Sequence, residues 1–147
     1  MTTFHLQIVT PEKEVYVDSA DELIVPGAEG PLAIVPGHTP LLTSLNPGEL
    51  TIKKGKETIH LAIGSGFIEI TQKTVKVLTD LASKPEEISE KEVEEARRRA
   101  QEALKEKHRL SDEEYASAAA TLQKALAQLK VKRRHVPKGV KTAETAL

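Results

Sequence analysis

The sequence contains no cysteine and no tryptophan, and only two phenylalanines and two tyrosines. Without cysteine there are no disulfides, no thiolate metal sites and no cysteine nucleophile. Aromatic residues make up 3% of the chain, too few to build stacking platforms for bases or sugars. No apolar run approaches the ~18 residues that would cross a bilayer. The start, Met1-Thr2-Thr3-Phe4-His5, lacks the basic and apolar regions of a signal peptide. These absences read as an intracellular soluble protein, or a soluble part of a larger assembly. A net charge of −1 gives no electrostatic case for nucleic acid.

What is present is a chain of 147 residues, 39% apolar, whose core must be built from Val, Ile, Leu and Ala. Its first half alternates with period two. Apolar and polar residues take turns in Phe4-His5-Leu6-Gln7-Ile8, Glu14-Val15-Tyr16-Val17-Asp18, Thr51-Ile52-Lys53, Thr58 to Ile63, Phe67 to Thr71 and Thr74 to Leu78. Turn signals lie between them at Thr10-Pro11, Asn46-Pro47-Gly48, Lys54-Gly55-Lys56 and Gly64-Ser65-Gly66. Short strands at this spacing predict an antiparallel β-sandwich of about ten strands over residues 1–84. The loops are too short for helical crossovers, so parallel pairing is not expected.

The stretch Gly27-Ala28-Glu29-Gly30-Pro31-Leu32-Ala33-Ile34-Val35-Pro36-Gly37-His38-Thr39-Pro40-Leu41-Leu42 holds three glycines and three prolines. Glycine permits positive φ and proline fixes φ near −65°, so the segment specifies particular turns. Leu32, Ile34 and Val35 remain to form a short strand. The segment carries no nucleophile–base pair, which points to a shape that another protein reads.

Ser83-Lys84-Pro85-Glu86-Glu87 ends the strand pattern, and a helical period follows. Ser89 can cap a helix, with Glu92 at the capping-box position. Val93, Ala96, Ala100 and Ala103/Leu104 then recur at three- and four-residue steps. His108-Arg109-Leu110 closes this helix. Ser111 with Glu114 opens a second, whose stripe is Tyr115, Ala118/Ala119, Leu122, Ala125/Leu126 and Leu129. A short link forces the two helices antiparallel. The hairpin is assigned to residues 85–134 and a loose tail to 135–147. An Ala-rich seam buries little area, and at about 25 cal/mol per Å² it is a weak unit. The hairpin therefore needs a third surface, either the sandwich or a partner. Its basic end, Lys130, Lys132, Arg133 and Arg134, suits the negative end of the helix dipole.

Candidate chemistry is sparse. His5, His38, His60, His108 and His135 show no ligand spacing, so no metal site is expected. His38 is expected to bond its own turn backbone. There is no nucleophile elbow and no phosphate loop. Arg97, Arg98 and Arg99 splay around their helix and do not converge on one anion. Nothing argues for an enzyme acting alone.

Gly27-x-x-Gly30, then Leu32-x-Ile34-x-Pro36-Gly37-His38-x-Pro40-Leu41-Leu42, resembles the epsilon-subunit family of bacterial rotary (F-type) ATP synthases. Phe4-His5-Leu6-x-Ile8-Val9, Pro47-Gly48, Tyr115-Ala116 and Ala125-Leu126-Ala127-Gln128-Leu129-Lys130-Val131 also fit, as does the order of sandwich and hairpin. The resemblance implies a non-catalytic central-stalk subunit, peripheral on the cytoplasmic face of the bacterial plasma membrane and touching the membrane only through the complex. Its partners would be the gamma subunit, the c-subunit ring and the alpha/beta catalytic hexamer. It implies contacts to gamma and the c ring through Glu29, Gly30, Pro31, Pro36, Gly37, His38, Pro40, Leu41 and Leu42. It implies an inhibitory second helix acting through Tyr115, Leu122, Leu126, Leu129, Lys130, Lys132, Arg133 and Arg134. Some members bind ATP at Ile/Leu-Asp-x-x-Arg-Ala. Here Ile88, Ser89, Glu92 and Val93 stand at the aligned positions, so an acid and an arginine are missing and no tightly bound cofactor is expected. Pro31 stands where relatives can carry a charge. The other reading is a generic intracellular binding module of sandwich and hairpin.

Overall fold

The computed structural model describes residues 2–135. The strands are β1 (Phe4–Val9), β2 (Glu14–Ala20), β3 (Glu22–Gly27), β4 (Gly30–Ile34), β5 (Leu41–Leu45), β6 (Gly48–Lys54), β7 (Glu57–Ile63), β8 (Gly66–Ile70), β9 (Thr74–Thr79) and β10 (Ala82–Ser83). Their hydrogen-bonded order is β10-β7-β6-β3-β5-β8-β9-β1-β2, with β4 on β3. This path folds into two layers. The inward phase of the alternation, including Leu6, Ile8, Leu23, Leu50, Ile52, Leu61, Ile63, Ile68 and Val77, forms one core at 0–1% exposure. The layers are tied at one edge by a single bridge, Gly27 opposite Leu45. At another they are tied by Lys54 Nζ, 2.5 Å from Asp18 Oδ2.

One pairing departs from the expected antiparallel pattern. β1 runs parallel to β9, with Leu6 opposite Val75 and Ile8 opposite Val77. A parallel pair needs a long connection. Here nearly the whole sandwich is that connection, so short loops between consecutive strands do not forbid it.

The turn-rich segment behaves as its residues dictate. Gly30 (φ 124°) and Gly37 (φ 82°) occupy the left-handed region, where a side chain would be strained. β4 ends at Ile34 rather than including Val35. Val35 is followed by proline, and its carbonyl instead accepts from the His38 N–H at 3.1 Å, closing a turn.

α1 (Glu90–Lys105) and α2 (Asp112–His135) follow a 3-10 turn at Pro85–Glu87. The Ser111–Glu114 capping box is complete: the Glu114 N–H donates to Ser111 Oγ (3.1 Å) and the Ser111 N–H to Glu114 Oε1 (3.2 Å). At α1 the Glu92 N–H donates to Ser89 Oγ at 3.4 Å, half of the expected box. His135, assigned by periodicity to a loose tail, is the last residue of α2. Its ring has a partner on the sandwich, described below. The rest of the expected tail, 136–147, lies outside the described residues.

Candidate functional site

Two surfaces and one internal joint stand out. The first surface is the turn-rich loop. Glu29, Gly30 and Pro31 are exposed at the tip of the β3–β4 hairpin. Gly37 and Pro40 are exposed and Pro36 is half-buried. His38 Nδ1 lies 2.7 Å from Thr39 O, so this ring does bond its own turn. Leu41 (39%) and Leu42 (69%) open β5 with their side chains in water.

The second surface grows from those leucines. Cross-strand partners share a face. Leu42 lies opposite Glu69, Glu69 opposite Lys76, Lys76 beside Gln7 and Gln7 opposite Val17. The next row is Ser44, Phe67, Leu78 and Val9. On this outer face Phe67 (58%) and Leu78 (47%) are exposed cross-strand neighbours with Leu42 diagonal to Phe67, while Val17 (50%) is exposed apart from them on β2, beyond Lys76 and Gln7. An apolar patch of this kind marks a contact surface for another macromolecule. Sequence reasoning missed Phe67, Leu78 and Val17 as surface residues. The signal was their phase: Phe67 shares a face with Glu69, Leu78 with Lys76, and Val17 with Ser19 and the facing Gln7.

The joint is on the other outer face. The C-terminal half of α2 packs over β6 and β7, making the sandwich the third surface that the hairpin needs. Ala62, Ile88, Val93, Ala125, Leu129 and Val131 form a small apolar cluster there. Of the expected stripe, Leu129 is buried at 3%, Leu122 is half-buried, and Leu126 (42%) and Tyr115 (37%) are exposed. In this state only part of the stripe is available to another protein.

Polar pins surround the cluster. Lys124 Nζ lies 2.5 Å from Asp80 Oδ2. Arg133 donates to Glu90 (2.8 Å) and Glu94 (3.0 Å) on α1. Arg134 Nη1 lies 3.3 Å from Glu49 Oε2, and His135 Nε2 lies 2.6 Å from Glu49 Oε1. The His135 ring stacks on His60 of β7, with centroids 3.6 Å apart and planes inclined by 9°. Burial, then the facing His135, pushes the His60 imidazole below its ordinary 6.5, against the opposite pull of Glu49. Lys130 and Lys132 make no ion pair among those described.

Glu49, His60 and His135 therefore converge, although the histidines show no ligand spacing in sequence. Their donor atoms lie within 4.8 Å of one another. The geometry nevertheless opposes a shared ion. An imidazole binds a metal in its own ring plane, and two nearly parallel planes 3.6 Å apart have no common point near the site.

The positions aligned with the ATP motif have structural roles. Ile88 and Val93 are buried in the joint, Ser89 caps α1, and Glu92 faces solvent. Beside them, a depression between the helices is lined by Glu94, Arg97, Lys130 and Arg133. Arg97 is engaged by Glu94 and Gln101, and Arg133 by Glu90 and Glu94.

Comparison with known proteins agrees with this architecture. Residues 3–85 match the family model "ATP synthase, Delta/Epsilon chain, beta-sandwich domain", and residues 86–133 match "ATP synthase, Delta/Epsilon chain, long alpha-helix domain". The ATP synthase epsilon chain of Chromohalobacter salexigens is 40% identical over 132 residues, covering 88% of this chain and 92% of that one. Among solved structures, a chain of the Euglena gracilis mitochondrial ATP synthase (OSCP/F1/c-ring) aligns with TM-score 0.72 at 17% identity, covering 88% of this chain and 81% of that one. A chain of the Tetrahymena thermophila mitochondrial ATP synthase central stalk and c ring aligns with TM-score 0.60 at 16% identity, covering 89% and 97%. With both of its parts matched in order and nearly its whole length aligned to a bacterial relative, the chain belongs to the ATP synthase delta/epsilon chain family.

Proposed function

We propose that this chain couples the gamma subunit to the c ring and restrains ATP hydrolysis through its hairpin. It is a non-catalytic subunit of an F-type ATP synthase. In this reading the Leu42–Phe67–Leu78–Val17 face seats on gamma, and the β3–β4 tip with Glu29, Gly30 and Pro31 meets the c ring. The complex then holds the chain at the cytoplasmic face of the bacterial membrane. No helix among the described residues is long and apolar enough to cross a membrane.

The observation that carries the inhibitory reading is the smallness of the joint. Six side chains, two of them alanine, and a few surface pins hold α2 on β6–β7. Solvent-screened pins such as Lys124–Asp80 contribute about 0–1 kcal/mol each. Such a joint can open without disturbing the core, and a switch needs two packings within a few kcal/mol of each other. Opened, α2 presents Leu126, Leu129 and Val131 to gamma and carries Lys130 and Lys132 toward the acidic surfaces of the hexamer. The test is ATP hydrolysis by reconstituted enzyme carrying the full chain or residues 1–84. Faster hydrolysis with the truncated form is expected, with assembly retained. Equal rates would mean that the hairpin is structural.

A further inference from the structure

The joint contains a feature that neither coupling nor inhibition requires: two imidazoles stacked face to face across it. His60 comes from the middle of β7 and His135 from the last position of α2. They meet only when the hairpin is docked. Both are partly buried, and they share one carboxylate. Glu49 Oε1 is 2.6 Å from His135 Nε2, and Glu49 Oε2 is 3.8 Å from His60 Nδ1.

We propose that the His60–His135 stack is a proton-operated latch: uptake of protons by the pair below neutral pH releases the C-terminal end of α2 from the sandwich.

The charges facing the stack from every element explain why. From β6 come Glu49 and the Thr51 hydroxyl, which lies 3.3 Å from His60 Nδ1. From α2 comes Arg134, already 3.3 Å from the same Glu49. From the 3-10 turn and the residue before it come Glu86 and Lys84, both exposed on the rim of the adjoining depression. Lys84 and Glu86 offset each other in water. One proton on the pair is tolerated, because the Glu49 carboxylate lies against both rings. The second is not. Two imidazoliums and the Arg134 guanidinium would then share one carboxylate, with the rings 3.6 Å apart. Undocking separates the cations and returns each to water.

The sign is fixed by linkage. The docked His60 binds its proton less readily than a solvated imidazole near 6.5. The undocked state therefore holds more protons over the window below 6.5, and docking weakens as pH falls through it. Above that window His60 is neutral and the latch is closed.

The full chain has no cysteine, so two introduced thiols are the only labelling sites. Lys56→Cys in the β6–β7 turn and Lys130→Cys on α2 are both exposed, and spin labels there report the distance across the joint. At pH 8 a single short distance is expected. Between pH 7.5 and 5.5 the ratio of long to short populations should rise severalfold, up to about tenfold, the limit for one imidazole that titrates near its ordinary value only when undocked. In His60→Phe, which keeps a flat ring against His135 without a second charge, the short distance should persist throughout. Core amide signals of β8 and β9 should be unchanged at pH 5.5. An unchanged distance in the parent chain, the same rise in His60→Phe, or simultaneous loss of the core signals would each overturn the latch. Because the readout is distance in the isolated chain, its failure is separate from any failure of the inhibitory reading.

Discussion

Lys124 of α2 reaches Asp80, at the exit of β9, with Nζ 2.5 Å from Oδ2. It is the ion pair nearest the middle of the long helix, and it fixes how far along the sandwich α2 lies. Both side chains are about a third or more exposed (32% and 40%), so solvent screens the pair. Lys124→Ala and Asp80→Ala should each weaken docking slightly. A double-mutant cycle should give a coupling of about 0.5 kcal/mol that vanishes at high salt. Label distances across the joint at low and high ionic strength measure it.

The apolar cluster should matter more. Leu129→Ala removes a side chain that is 3% exposed, at a cost of about 2 kcal/mol or more. Because this cluster is separate from the sandwich core, the loss should fall on docking alone. Hydrogen exchange should quicken in α2 and in Ala62, while the sandwich keeps its melting temperature. A lower melting temperature for the core would mean that the two clusters are one cooperative unit.

Gly66→Ala should damage the sandwich itself. A Cβ at Gly66 would sit 1.9 Å from the Leu78 carbonyl oxygen, a backbone atom that cannot step aside. Overpacking of this kind costs about 3 kcal/mol or more. Thermal unfolding of Gly66→Ala against the parent chain checks it. Gly30 presents the reverse case, with open space around it but a φ of 124°.

The basic end of α2 should divide in two. Arg134 holds the docked state through Glu49 of β6, and Arg133 ties α2 to α1 through Glu90 and Glu94. Their replacement by alanine should favour release and so leave hydrolysis unchanged or lower. Lys130 and Lys132 make no such pairs, and their replacement should raise hydrolysis by weakening contact with the hexamer. Rates of reconstituted enzyme carrying each pair of substitutions separate the two effects.

ATP should bind the isolated chain weakly. Glu92 faces solvent where a phosphate-pairing arginine would stand, and Arg97 and Arg133 are held by acids. Calorimetric titration should detect no micromolar site. Ser89→Asp with Glu92→Arg should strengthen binding if the depression between the helices can accept a nucleotide.

The strands were legible because alternation is a local signal. Leu6 and Ile8, or Val75 and Val77, declare a buried face without knowledge of their partners. The parallel seam between β1 and β9 was not legible, because register between distant strands leaves no mark on either. The need for a docking surface was legible in the Ala-rich seam, but the meeting of Glu49, His60 and His135 was not, for the same reason. Glu49 and His135 are 86 residues apart, and neither sits in a pattern that names the other. The Leu42–Phe67–Leu78 face could have been found, since large apolar residues in the outward phase of strands contradict a solvated surface.

The parallel seam also bears on how the chain is made. β1 is synthesised long before its neighbour β9, which ends at Thr79. The amino-terminal strand must therefore wait, paired at most with β2, while the rest of the sandwich is synthesised. Long-range pairing of this kind slows folding, because loop closure precedes the contacts that reward it. The hairpin is translated after the sandwich and meets a surface whose strands are already made. Its docking then adds to a finished body, so lengthening or deleting it should leave the folding rate of the sandwich unaltered.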